Sequence, residues 1–372
     1  MERQLGINNL QRSLFQSHHA MNGKSSVHKY MTGIIILASV VLLLAGCKDS
    51  DNGGDNAGGS ETKILLDEAF YLALADDEQP TWLQDLISES PYLKVFYSNA
   101  RGGLYLVAFP QRGFAGTLYN KNGKALVQSS DDEWAEMVGQ GSPWTCTHVY
   151  TPSLKPGDAE WDLKRYTVQE IQQKLLLPDA LLKQMTTADL LEVCLDYQYS
   201  TEILLYNEMQ LAIQALRKNF NGYNELLQRK DLVEVMLMKY LVWLRSVETM
   251  GQQDSRVRGS LSFHFLLFKM LLAQEEMLSS MSREQQRMLI ALSIEAWNIV
   301  AEQPDLFGTI HYSPILFLFS RIIVRDGGFK FTSDEERQMV EYYAETCTGN
   351  PKMRTVFTED FQKRMFSYLQ QL

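Results

Sequence analysis

The spacing of apolar and polar positions changes near residue 160. Before that point, short apolar stretches at 93–97 and 104–109 have strand composition. Turn sequences such as Asn122-Gly123 separate stretches of this kind, as hairpin turns do. Pro80 precedes a stretch whose apolar residues fall on one helical face. This pattern predicts an α+β domain made of an antiparallel sheet and a helix.

From residue 161 onward the pattern is helical. Three capping boxes predict helix starts, because a hydroxyl and an acid or amide three residues later satisfy the first free amides of a helix. The boxes begin at Thr167, Ser282 and Ser333, and further N-cap candidates are Thr187, Asp231 and Thr358. No residue pattern recurs at a fixed period. We therefore expect a larger all-α helical array or bundle without a regular repeat.

The length of the chain predicts more than one domain. Its 372 residues exceed the length that one hydrophobic core usually serves, about 250 to 300 residues. The predicted parts are a signal peptide at 1–46, a lipidated tether at 47–63, the α+β domain at 64–151, a linker at 152–160 and the all-α domain at 161–372. The linker is placed where Pro and Gly breakers adjoin polar residues.

The N-terminal region has the features of a signal peptide. An apolar run at 34–45 follows basic residues and is too short to cross a bilayer as a stable helix. Translation from Met21 would give a leader of more usual length. Residues 44–47 are Leu-Ala-Gly-Cys, which resembles the lipobox of bacterial lipoproteins. The resemblance implies that Cys47 is lipidated and attaches the protein to a membrane. The alternative is a short membrane anchor with an incidental Cys47, but no basic stop-transfer cluster follows.

The segment after the cysteine predicts a flexible tether and the membrane to which the protein is sorted. Residues 48–60 are rich in glycine, serine and aspartate, and such a sequence buries nothing. Lysine rather than aspartate at position 48 argues against retention in the inner membrane. Lys48 with Asp49 and Asp51 is similar to the tag that sends lipoproteins of Bacteroides-type bacteria to the cell surface, although a serine separates the two acids. The similarity implies an outer-membrane lipoprotein at the cell surface, with the periplasmic face as the alternative.

Two longer segments resemble proteins of the same bacterial group. Pro-Thr-Trp-Leu at 80–83, Leu-Tyr-Asn-Lys-Asn-Gly at 118–123 and Cys146 are similar to a small domain that recurs in Bacteroides lipoproteins. The sequence at 185–197, followed by that at 219–231, looks like a segment of uncharacterised secreted proteins. These resemblances imply a small α+β lipoprotein domain and a helical domain, and they imply no activity.

Charge and missing motifs narrow the function classes. The chain has 35 Lys plus Arg against 45 Asp plus Glu, a formal net charge of −10. An acidic chain without a basic cluster repels phosphate backbones, so we expect no nucleic-acid partner. The sequence contains no Walker A loop, dinucleotide glycine fingerprint, G-x-S-x-G elbow, H-E-x-x-H helix or C-x-x-C pair. We therefore expect neither a cofactor nor a bound metal.

The few histidines and cysteines after the tether allow several interpretations. His264 and His311 are predicted to be packing residues that bond a polar neighbour, with acid–base or metal roles as the alternatives. Cys146, Cys194 and Cys347 are odd in number, so at most one disulfide can form among them. Cys194 and Cys347 either form that disulfide, joining the two ends of the helical domain, or remain buried free thiols.

Acidic and aromatic residues supply the candidates for ligand contact. Tyr206, Glu208, Tyr240 and Trp243 are the candidate ligand-binding residues, since aromatic rings present stacking faces beside polar groups. Glu208 and Glu295 adjoin apolar helical stretches and could form a catalytic pair, although positions on polar helix faces explain them better. The sequence favours a binding or interaction module with a protein or polysaccharide partner. The alternative is a glycan-active enzyme that uses paired carboxylates in a helical cleft.

Overall fold

The computed structural model describes residues 69–72, 78–108, 116–141, 143–163, 165–348 and 356–372. The predicted signal peptide, the lipidated cysteine and the tether lie outside the described residues. Every described residue belongs to one compact unit, 58–372. Within these ranges no helix is both long and apolar enough to span a bilayer.

A mixed sheet occupies the first part of the described chain. Its strands are β1 (Phe70–Tyr71), β2 (Tyr92–Ser98), β3 (Leu104–Ala108), β4 (Gly116–Asn120), β5 (Ala125–Gln128) and β6 (Thr145–Tyr150). Their order in the sheet is β1-β6-β2-β3-β4-β5. Strand β2 pairs antiparallel with both β3 and β6, whereas β1 pairs parallel with β6. The predicted α+β class is confirmed, and the short edge strand β1 makes the sheet mixed rather than purely antiparallel.

Two helices accompany the sheet, α1 (Thr81–Glu89) and α2 (Trp134–Gln140). The apolar face of α1 buries Leu83 and Ile87 against sheet residues that include Val95 and Val107. Tight packing also explains the Asn-Gly turn between β4 and β5. Gly123 has a positive φ of 79°, and a Cβ there would come within 2.6 Å of the Trp82 ring. Only glycine fits this turn without strain.

Helices joined by short loops and 3-10 turns follow the sheet in the described chain. They are α3 (Val168–Lys174), α4 (Asp179–Gln184), α5 (Thr187–Leu195), α6 (Met209–Asn219), α7 (Asn221–Leu227), α8 (Leu232–Arg245), α9 (Val247–Gly251), α10 (Ser255–Leu272), α11 (Glu275–Ser280), α12 (Arg283–Glu302), α13 (Pro304–Phe307), α14 (Tyr312–Asp326), α15 (Asp334–Thr346) and α16 (Glu359–Leu369). The predicted all-α region is therefore confirmed. The stretches 261–272 of α10 and 315–323 of α14 supply much of its core, because nearly all of their side chains are buried.

Hydroxyl caps begin several of these helices. The capping boxes at Thr167 and Ser282 form as predicted. Ser333 also caps its helix, but Glu336 bonds Thr332 instead of returning a bond to Ser333. At α5 the cap is Thr186 rather than Thr187, since the Thr186 hydroxyl accepts the bond from the N3 amide.

The segment between the sheet and the helices is anchored to the helical region. Leu154 is buried, and its carbonyl accepts a bond of 3.1 Å from the Gln198 side chain. The Ser153 hydroxyl donates to the Lys174 carbonyl at 3.0 Å. Helix α5 also packs directly against β6. The division into separately folding domains at 152–160 stays a prediction, and the sheet and the helices share a polar interface at α5.

Candidate functional site

The four residues predicted to contact a ligand do not form one site. Tyr240 and Trp243 are only 1% and 2% exposed, in the core around α8. Their rings pack against Phe265 and Phe268 of α10, which corrects the hypothesis that they present a stacking surface. The two residues are three positions apart, so they lie on one face of α8, and that face is buried.

The other two predicted ligand residues lie at the start of α6. Tyr206 is exposed, and Glu208 is half-buried with its backbone bridged to Thr348. Glu295 is exposed on α12, and the described residues include no contact that pairs it with Glu208. The geometry therefore gives no support to a catalytic pair made of Glu208 and Glu295.

The cysteines are free and buried. Cys146, Cys194 and Cys347 form no disulfide, so the alternative of a Cys194–Cys347 bridge is wrong. Burial raises the pKa of Cys146 and of Cys347 to about 12 each, and that of Cys194 well above its usual value. Thiols that stay protonated at neutral pH are poor nucleophiles.

Helix α5 carries three acids on one face. Asp189, Glu192 and Asp196 follow the spacing i, i+3 and i+7, which places their side chains within one stripe of a helix. Asp196 directly follows the last residue of α5. The helix packs against β6, so this acidic stripe lies at the interface between the sheet and the helices.

The first acid of the stripe is fully paired. Asp189 is 1% exposed and forms an ion pair of 2.8 Å with the Lys94 ammonium on β2. The Tyr92 hydroxyl donates a second bond of 2.7 Å to the same carboxylate. A buried charge with a cation and a hydroxyl around it is a structural contact between strand and helix.

The second acid is paired from the helical side. Glu192 forms an ion pair with Lys239 of α8, and both side chains are almost buried. Burial raises the pKa of Glu192, and the Lys239 ammonium opposes that rise. The Glu192 Oε2 atom is buried without a hydrogen-bond partner among the described residues.

The third acid differs from the other two. Asp196 accepts a hydrogen bond from the Tyr71 hydroxyl of β1, and its Oδ1 lies 3.3 Å from Nε2 of His264 on α10. Its side chain remains 36% exposed. Loss of hydration of the carboxyl inside the protein raises the pKa of Asp196 to about 6. The hydrogen bond from Tyr71 and the charge of Lys239 both oppose this rise. A carboxyl with this pKa changes protonation near neutral pH.

His264 serves as a neutral partner of Asp196. The residue is 9% exposed, and burial lowers its pKa to about 4. At pH 7 the imidazole is therefore uncharged, and its Nε2 lies 3.3 Å from Oδ1 of the carboxylate. The predicted buried position of His264 is confirmed, and its polar neighbour belongs to the acidic stripe, although no hydrogen bond joins the two side chains among the described residues.

A cavity of about 200 Å³ opens beside Asp196. We call it the α5 cleft. Aromatic side chains line it, and Tyr197 stacks on Phe220 with ring centroids 4.3 Å apart. The Tyr197 hydroxyl is buried and has no hydrogen-bond partner among the described residues. The polar and aromatic residues of its lining include Tyr71, Tyr150, Asp196, Tyr197 and Phe220. The cleft thus combines one acid with aromatic walls, a composition common in small-molecule sites.

A second buried polar cluster lies within the helical region. The Ser262 hydroxyl is 2.9 Å from Nε2 of His311, and the Lys269 amine is 3.1 Å from Nδ1 and from the carbonyl oxygen of the same histidine. We call these three residues the α10 cluster. All three are at least nine-tenths buried.

The α10 cluster resembles a serine–histidine dyad but is buried in the helical core. Burial lowers the pKa of Lys269, and burial together with the nearby amine lowers that of His311. The Ser262 hydroxyl and the Lys269 amine lie at the two ring nitrogens of His311, and the amine also donates to the His311 carbonyl. A nucleophilic serine must be open to its substrate, whereas all three of these side chains are buried. The predicted packing role of His311 fits this geometry.

Comparison with known protein families, curated proteins and solved structures found no match to this chain. The described part of the chain contains no group of three or more His, Cys, Asp or Glu side chains that could hold a metal ion.

Sequence reasoning did not single out Asp196. The sequence does contain one signal for it. The acids at 189, 192 and 196 have helical spacing, which places them on one face of the predicted helix. The partners Tyr71, Lys239 and His264 come from three elements distant in the sequence. Only the tertiary arrangement brings them to the carboxyl.

Proposed function

We propose that this protein is an outer-membrane lipoprotein whose described region binds a small polar ligand in the α5 cleft. The observation that carries the proposal is the Asp196 carboxylate, which accepts a hydrogen bond from Tyr71, lies beside His264 and lines an aromatic cavity. Fixed polar groups inside a partly apolar pocket give a small ligand both orientation and specificity. A small cavity suits a compact ligand or one terminal unit of a larger partner, such as a polysaccharide or a protein.

The geometry favours binding over glycan hydrolysis. Glycoside hydrolysis uses two carboxyl groups on either side of the scissile bond. Asp196 is the one carboxylate in the described lining of the cleft, and the neighbouring Glu192 is paired with Lys239. The glycan-active alternative would need an acid that this arrangement does not supply.

Ligand binding can be tested with the full chain in detergent. A panel of monosaccharides, amino acids, amines and nucleosides is screened by thermal shift, and each compound that raises the melting temperature is measured by calorimetry. At least one compound should bind the wild type and lose affinity in Asp196→Asn, which keeps the shape of the side chain. Glu302→Gln, a change at an exposed acid of α12, is the matched control and should bind normally. If no compound binds, or if binding ignores Asp196, the cleft is not the site.

The membrane anchor is tested separately from the cleft. Cys47→Ser should release the protein from the membrane fraction, because stable anchoring depends on more than one acyl chain at this residue. Ser50→Ala provides the control in the tether. Retention of the Cys47→Ser variant after a high-salt wash would refute the lipoprotein assignment. Protease accessibility in intact cells would then separate the cell surface from the periplasmic face.

A further inference from the structure

The acidic stripe of α5 contains three acids but only two paired lysines among the described residues. Its three carboxylates face the interface between sheet and helices, and two of them have lysine partners. Asp189 pairs with Lys94 and Glu192 pairs with Lys239. No cationic side chain pairs with Asp196 among the described residues, because its two partners are a tyrosine hydroxyl and a neutral histidine.

The groups around Asp196 explain why the protein itself does not neutralise it. Tyr71 on β1 donates a hydrogen bond without charge, and the neutral imidazole of His264 on α10 lies 3.3 Å from the carboxylate. Lys239 on α8 is already bound by Glu192. Lys155 is a further cationic residue in the lining of the cleft. A carboxylate that lacks a counter-ion in a partly enclosed site is costly, so a cation placed there stabilises the complex.

We propose that the α5 cleft binds a ligand through a protonated amine, with Asp196 as the counter-ion of the ammonium group. The inference rests on the proposed binding function and names the class of ligand. The open side of Asp196 faces the cavity, so the ammonium takes the position that Lys94 and Lys239 occupy beside the other two acids. Charge-assisted hydrogen bonds of this kind are stronger than bonds between neutral groups.

The walls of the cleft suit the same ligand. Tyr71, Tyr150, Tyr197 and Phe220 line it, and aromatic faces attract an ammonium ion through their π electrons. Tyr197 is 95% buried, and its unpartnered hydroxyl offers a further hydrogen bond at the wall. An aliphatic or aromatic body next to the amine would cover the apolar part of the lining.

Two matched pairs of probes test the charge requirement. Glucosamine is compared with glucose, and 2-phenylethylamine with 2-phenylethanol, by calorimetry on the full chain in detergent. Each pair differs at the amine alone. At least one amine should bind about tenfold or more tightly than its alcohol partner.

If glucose or 2-phenylethanol binds as well as its amine, the ammonium inference is overturned while the cleft remains a binding site. If none of the four binds and only neutral compounds of the wider panel do, the inference is also overturned. If no compound binds at all, both proposals fail.

A variant and a pH series identify the counter-ion. Asp196→Asn should reduce amine affinity about tenfold or more, and Glu302→Gln should leave it unchanged.

Affinity of the wild type for 2-phenylethylamine should fall as the pH is lowered from 7 to 5, because protonation removes the charge of Asp196, whose pKa is about 6. His148 on β6 also lines the cleft, so the series is repeated with His148→Asn, which should keep the pH dependence. Binding that does not change between pH 7 and 5 would contradict the role of Asp196, even if Asp196→Asn failed to fold.

Discussion

The two buried polar clusters of this protein differ in how they treat charge. The α10 cluster holds a lysine, a histidine and a serine inside the helical core, and burial favours the neutral form of both basic groups. The acidic stripe of α5 contains two ion pairs instead, because lysines from β2 and α8 pair with two of the three acids. The third acid opens to a cavity.

This difference separates packing from recognition. In a buried cluster the polar groups hydrogen-bond one another and none is open to a ligand. Such a cluster therefore contributes to the stability of the fold. A cluster with one charge left open and accessible can gain free energy from a partner that completes it. The predictions below test this distinction, from the largest expected effect on stability to the smallest.

The largest effect should come from breaking the Glu192–Lys239 pair. Lys239→Met leaves a nearly buried carboxylate without its cation, and the free energy of unfolding should fall by about 3 to 5 kcal/mol. Urea unfolding followed by circular dichroism measures the loss. The double variant Glu192→Met with Lys239→Met should recover most of it, because no charge then remains buried. A small effect of Lys239→Met alone would mean that the pair is not structural.

Removing the histidine of the α10 cluster should also destabilise the fold. His311→Ala creates a cavity and removes the partner of Ser262 and of the Lys269 amine, and should cost about 3 kcal/mol in urea unfolding. Ligand affinity should be unchanged, since the cluster is sealed. Lost binding with normal stability would reverse the comparison between the two clusters.

Acid sensitivity should depend on His264. Its pKa is about 4 in the folded protein and near 6.5 in the unfolded chain, so the unfolded state binds more protons between these values. Stability from this group is therefore present above pH 6.5 and is lost as the pH falls to 4. His264→Asn cannot titrate, and its loss of stability over this range should be smaller by about 2 kcal/mol. Thermal melts at pH 7, 6, 5 and 4 measure the difference, and parallel curves for both proteins would contradict it.

The smallest effect on stability should come from the residue with the largest effect on binding. The pKa of Asp196 is raised in the folded state, so its ionised form weakens the fold at pH 7. Because the side chain is partly solvated, Asp196→Asn should increase the free energy of unfolding by less than about 1 kcal/mol. A large loss of stability would instead make Asp196 a structural residue like Glu192.

The fold was more predictable than the site because its signals are local. Hairpin turns, apolar spacing and hydroxyl caps act over a few residues, and they predicted the α+β and all-α regions and the caps at Thr167 and Ser282. Small errors had local causes, such as the cap at Thr186 instead of Thr187. Aromatic residues at 240 and 243 were assigned to a ligand surface because a helical stripe of rings has the same spacing whether it faces solvent or core.

The sequence by itself determined that α5 carries three acids on one face, since helical geometry alone sets that spacing. It also determined the class of each region through its turns and caps. Only the tertiary structure decided that Lys94 reaches the first acid, Lys239 the second and no cation the third. These partners come from elements far apart along the chain, and whether a charge is paired depends on which of them the packing brings within a few ångströms.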